Sequence, residues 1–301
     1  MRALLVLAFA LVLLVAVCSA ALRLAGSGIG CTPWPACYAP ADASAPADDA
    51  VPPWQHTVRL THRISATAAG LVFVFIVAFG FGGWSASQRV AGTSLLVLAT
   101  VLAMVGRVTP SQLPAVVLTN LLGGHLLLAA LAWLLTPAPV SVDTAAPVAG
   151  RGWPWFAGVP LVLISGGLVS VRGAAAACAG GCAVDTTAWL QALTAWSPWR
   201  GSVEASAALQ QGLLQMHALL GSLVVLALAF AAWRLRHRRT VAPVVALTAL
   251  VAVVTLVLGF PRALSAAAAH SVLGGLTLAG CAAWWRLGRR EDPLRGRPAV
   301  A

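Results

Sequence analysis

Eight stretches of this chain are long and apolar enough to cross a membrane, and they limit the fold more than any other feature. They run roughly over 3–22, 60–82, 89–106, 115–136, 154–171, 208–233, 241–260 and 263–285, each close to the roughly 20 residues a transmembrane helix needs. Only 9% of the residues are charged and 60% are hydrophobic, against about 25% charged in soluble domains. The pattern predicts an all-α integral membrane protein with eight transmembrane helices, whose first partner is the lipid bilayer. A net charge of +11 does not point to nucleic acid, because the charges flank the apolar runs and form no basic domain. The first run is similar to a signal peptide, with Arg2 before it and Ser19 and Ala20 at its end. Its apolar stretch exceeds the usual 7–15 residues of a signal core, so it is expected to be a retained helix.

Arginine placement sets the orientation. There is no lysine; all nineteen cations are arginine. With the N-terminus inside, twelve arginines fall on inner segments and seven on outer ones. The cluster Arg234, Arg236, Arg238 and Arg239 and the C-terminal tail decide the balance. Both termini are expected in the cytoplasm, which an even number of spans allows.

The chain reads as duplicated. Each half has four helices and a long outer loop between its first two, residues 23–58 and 172–206. His62 in THRISATAAGLVFVF and His217 in MHALLGSLVVLALAF follow those loops, and TNLLGGHLLLAALAW in the fourth span is similar to AHSVLGGLTLAGCAAW in the eighth. The expected organisation is two parallel four-helix-bundle repeats related by an axis along the membrane normal. The first half covers 1–136, a cytoplasmic linker 137–152, the second half 153–287 and a basic tail 288–301.

Four of the six histidines, His62, His125, His217 and His270, lie inside or at the mouth of these spans. Ionisable groups there are functional candidates by default, and histidines facing each other across a helix bundle suit a haem iron or another metal. His217 and His270 form the best pair, both toward the outer half of the membrane. His62 is flanked by Arg59 and Arg63, and arginine suits bidentate pairing with the carboxylates of a haem. Its partner is open between His125 and Asn120, which lie about 140° apart on one helix and cannot face the same site. His56 and His237 carry no assigned role. All eight acids lie in loops or the tail, which argues against a proton pump. Cys31 and Cys37 in GSGIGCTPWPACYAP lie on the expected oxidising side, where a disulfide is favoured; Cys178 and Cys182 in CAGGC form a matching pair. Cys18 and Cys281 are expected to be packing residues.

LRLAGSGIGCTPWPAC, HRISA, LPAVVLTNLLGG, His217 and His270 together resemble the haem A synthase family over about residues 10–285. The resemblance implies a bacterial cytoplasmic (inner) membrane protein that oxidises the ring methyl of haem o to a formyl group for cytochrome oxidase assembly. It implies haem b held by His217 and His270 in the second half, and haem o as substrate in the first. Implied partners are an electron donor that the sequence does not identify, and haem o synthase or oxidase assembly factors. The chain departs from the family pattern E-x-x-H-R, where Arg59 stands in the glutamate position. The family's fourth-span histidine falls on Asn120 when aligned through LLGG, and on His125 by distance from His62. Ala218 stands where an arginine commonly follows the histidine. These departures leave three readings: the oxidoreductase, a non-catalytic haem-binding homologue that assists haem handling or oxidase assembly, and a quinone-linked disulfide oxidase working through the outer cysteines.

Overall fold

The structure is a computed structural model that describes residues 1–25, 52–106, 114–137, 153–172, 174, 187–190, 206–259 and 264–288, with side chains of the fifth helix from residue 158 on. Among the described residues it contains helices and no strand. The long helices are α1 (Arg2–Leu24), α2 (Pro53–Gly80), α3 (Ala86–Val105), α4 (Pro114–Leu135), α5 (Trp153–Val171), α6 (Ala207–Leu235), α7 (Ala242–Leu258) and α8 (Leu264–Gly288).

Local chemistry sets several of their starts. Pro53 opens α2, where its fixed φ suits the first helical turn and its missing N–H costs nothing. Ser85 and Gln88 form a reciprocal capping box at α3, with the Ser85 N–H donating to Gln88 Oε1 at 3.0 Å. Ser206 caps α6 by accepting from the Leu209 N–H at 3.2 Å. Both post-loop helices begin before the apolar run that announces them. His62 therefore lies in the third turn of α2 and not at its start as the hydropathy suggests. Helix propagation continues through Gln55, His56 and Arg59 because none of these residues breaks a helix, whereas hydropathy marks only where the lipid begins.

Six helical segments are long and apolar enough to cross a membrane: Arg2–Leu24, Pro53–Gly83, Ala86–Val105, Pro114–Leu135, Ala207–Leu235 and Ser265–Leu287. Two more, Gly158–Val171 and Ala242–Leu258, are apolar but shorter. At 1.5 Å per residue, the 17 residues of α7 reach about 26 Å, just under the roughly 30 Å of a hydrocarbon core. The sequence predicts eight spans; six meet the length criterion.

The polarity of the molecule is inverted relative to a soluble protein. Phe79, Val90 and Leu226 are 72%, 67% and 66% exposed, while Ser65, His125, Ser165, Thr248, Thr277 and Arg286 are buried. In water such an apolar surface would aggregate; in lipid it costs nothing, and helix association rests on close packing instead. The protein is a multi-pass membrane protein.

Helix α8 is the hub. It packs on α7, α5, α4 and α1, and α4 packs on α1, α3, α5 and α8. Small residues let these backbones approach. A Cβ at Gly275 of α8 would collide with the His125 ring of α4, and one at Gly280 with the Thr248 side chain of α7. At the C-terminal end of α8, the Arg286 guanidinium carbon lies 4.0 Å over the Trp133 ring of α4. This cation–π contact gives the buried charge a partner in the α4–α8 seam. Cys18 and Cys281 are buried free thiols, consistent with packing roles.

Candidate functional site

The second half brings two imidazoles together. His217 projects from α6 and His270 from α8. Their Nε2 atoms lie 3.3 Å apart, with ring centroids at 5.6 Å and planes at 81°. What each ring does with its other nitrogen decides the chemistry between them. His270 Nδ1 lies 2.7 Å from the Thr255 backbone carbonyl. A carbonyl only accepts, so Nδ1 carries the proton and Nε2 holds a lone pair. Thr255 is in the last turn of α7, and its carbonyl accepts the imidazole bond beside one from the Gly259 N–H at 3.1 Å.

His217 Nδ1 lies 2.9 Å from Ser165 Oγ. That hydroxyl has one proton for two acceptors, the Val162 carbonyl at 2.8 Å and His217 Nδ1. When it goes to the carbonyl, Ser165 Oγ accepts from His217 Nδ1–H and both Nε2 atoms hold lone pairs that a cation would join; when it goes to Nδ1, His217 Nε2–H donates to His270 Nε2. A metal held by two nitrogens needs about 4 Å between them, from two bonds of about 2 Å each, so the pair sits roughly 0.7 Å inside that span. Nδ1–H bonded to a carbonyl or hydroxyl is what fixes tautomer and ring direction in metal-ligating histidines. The donor set thus fits a bis-imidazole metal.

Glycines shape the walls. A Cβ at Gly166 of α5 would lie 2.9 Å from His217 Cε1, and one at Gly259, just past α7, would lie 3.1 Å from His270 Cε1. We predict that Gly166→Ala displaces the His217 ring and weakens any low-spin haem spectrum of the purified protein, whereas Gly158→Ala, whose nearest neighbour would be Val224 at 3.9 Å, leaves that spectrum unchanged. Trp189 Nε1 donates to Gln215 Oε1 at 2.7 Å and Gln210 Nε2 donates to the Arg172 carbonyl at 3.0 Å. These bonds tie the segments beyond α5 to α6, at a residue two positions before His217 and at one two turns before it.

The first half presents unpartnered polar atoms instead of a pair. His62 Nδ1, Asn120 Nδ2 and His125 Nδ1 are all buried without a hydrogen-bond partner. Arg59 and Arg63 are one turn apart on α2 and share a face to within about 40°, with His62 about 60° from Arg59. His125 is 3% exposed and turns its ring onto Gly275 of α8, in the seam between the halves. Asn120 occupies another face of α4, as the helical angle requires. Among the described residues there is no group of three or more metal-ligating side chains. Cys31, Cys37, Cys178 and Cys182 lie outside the described residues.

Sequence reasoning missed Ser165, Gly166, Thr255 and Gly259. Ser165 carried a faint signal, since a serine in an apolar span often bonds across helices. Thr255 carried none, because it acts through its backbone carbonyl, which every residue has.

An apolar-surfaced helical assembly with two imidazoles facing each other in its interior defines a multi-span membrane protein with a paired nitrogen donor set. Residues 2–282 match the cytochrome oxidase assembly protein family, COX15-CtaA. The chain belongs to this family, that of the haem A synthases, and its context is haem A biosynthesis and oxidase assembly. No curated protein and no solved structure matches it.

Proposed function

We propose that the protein is a haem A synthase-type oxidoreductase of a bacterial inner membrane, with both termini cytoplasmic, that oxidises the ring methyl of haem o to a formyl group. The observation that carries this reading is the approach of the two Nε2 atoms to 3.3 Å, with each Nδ1 held by a different oxygen, Ser165 Oγ or the Thr255 carbonyl. His217 and His270 would hold haem b. Held by these two imidazoles, such a haem would supply one-electron transfer. Ser165 and Thr255 hold the Nδ1 protons and so keep both Nε2 atoms available as ligands.

The first half would take haem o. His62, with His125 or Asn120, would position it, and Arg59 and Arg63 would pair with its propionates. The buried, unpartnered nitrogens of His62, Asn120 and His125 support a ligand there, since such atoms are costly to leave unbonded. The packing supports two four-helix repeats of eight membrane helices. Consecutive helices and the end pair α1–α4 are in contact in the first half, as are consecutive helices and α5–α8 in the second. The cross-contacts α1–α8 and α4–α5 are reciprocal.

A second reading rests on Arg59 standing where the family motif has glutamate: a non-catalytic haem-binding homologue that assists oxidase assembly. Haem extraction and chromatography, from cells with and without a haem o source, separates the two. On the first reading, haem A appears above background in the wild type. Arg59→Glu raises it about a hundredfold or more, within the range a restored acid/base group contributes. Haem b alone, with haem o bound and unconverted in both proteins, establishes the binder.

A further inference from the structure

The two halves are joined near the His217–His270 pair by a half-buried arginine. Arg23, at the outer end of α1, reaches across to α8, and its Nη2 donates to Ser271 Oγ at 2.8 Å. Its Nε is buried with no partner. All eight acids of the chain lie outside the described residues, so no carboxylate among those residues neutralises this guanidinium. A cation held inside a membrane bundle without an anion is expensive, and such groups mark ligand sites. The Nε atom is itself closed off from solvent although the residue is only half-buried.

Ser271 directly follows His270. The bond therefore fixes the guanidinium to the same turn of α8 as the proposed iron ligand, about 100° around the helix axis. From that neighbouring position on α8 an arginine would reach the side of a group bound to His270. The group of a haem edge that matches a guanidinium is a propionate carboxylate, through a charge-assisted bond.

We infer that Arg23, oriented by Ser271, binds a propionate of the haem held between His217 and His270, so that a residue of the first half completes the cofactor site of the second. This rests on the bis-imidazole reading above. It makes haem loading depend on the contact between halves, because α1 supplies the anion partner and α8 the ligand.

The test is reconstitution of the full-length apoprotein with haem b or with haem b dimethyl ester, which lacks both carboxylates. Wild type should bind haem b about tenfold or more tightly than the ester, the factor expected for one charge-assisted bond. Arg23→Gln should lose most of that discrimination while keeping the same low-spin spectrum. It should also lower the midpoint potential of the bound haem, because an unneutralised propionate then favours the ferric state. Ser271→Ala, a milder change, should give a smaller loss in the same direction. Full ester discrimination and an unchanged potential in Arg23→Gln, with the spectrum intact, would overturn the Arg23 assignment alone. Absence of a bis-imidazole spectrum in the wild type would overturn the ligation reading and this one with it. Stabilisation of wild type but not Arg23→Gln by phosphatidylglycerol, with no ester discrimination in either, would assign the guanidinium to a lipid phosphate and overturn the proposal.

Discussion

Replacing His270 with alanine should remove most of the b-type absorbance of the purified protein, and His217→Ala should do the same. The two rings approach to 3.3 Å through their Nε2 atoms, so each variant deletes one of two donors and no described side chain replaces it. The structural cost at position 270 is modest. The Thr255 carbonyl that loses the imidazole still accepts from the Gly259 N–H at 3.1 Å, so α7 keeps its end. Loss of pigment would then report ligation and not unfolding. Added imidazole should restore part of the low-spin spectrum, because it can fill the vacated position. His62→Ala should leave this spectrum unchanged. An intact bis-imidazole signature in either the His217 or the His270 variant would remove the proposed cofactor site.

A second large effect is expected at the seam. Gly275→Ala should destabilise the protein by about 1–3 kcal/mol, the usual cost of overpacking, because the new methyl collides with the His125 ring. The matching glycine on α4, Gly124, has open space where its Cβ would be. Gly124→Ala should therefore gain up to about 1 kcal/mol from helix propensity. The opposite signs of one chemical change on two packed helices are the test, read as unfolding midpoints in the same detergent. Equal stabilisation of both would mean that α4 and α8 do not meet as closely as the structure has them. Because His125 is the group displaced, the same pair of variants also asks whether its placement in the seam matters to haem content.

Much of this protein is legible in its sequence. The apolar runs locate the helices because lipid imposes a length and a polarity that soluble folds do not. The loop motif and the histidine spacing carry the family, and His217 and His270 are recognisable because an imidazole is conspicuous in hydrocarbon. The helix starts are less legible: α2 begins at Pro53 and not near residue 60, since hydropathy detects lipid and not hydrogen bonding. The fourth span shows the same limit. Sequence alone leaves His125 and Asn120 as rivals for one site, and the helical angle says only that they diverge.

Which way a membrane helix turns was the part left to the tertiary structure. A soluble helix announces its buried face by an apolar stripe, but α4, α6 and α8 are apolar nearly all round. In lipid, that leaves rotation about the helix axis to be set by small-residue contacts and buried polar bonds. Gly275 therefore decides that His125 faces α8, and Ser165 and the Thr255 carbonyl decide which nitrogen of each imidazole is free. The sequence determined that these histidines lie in the membrane; only the packing of α5, α6, α7 and α8 decided that two of them point their Nε2 atoms at each other.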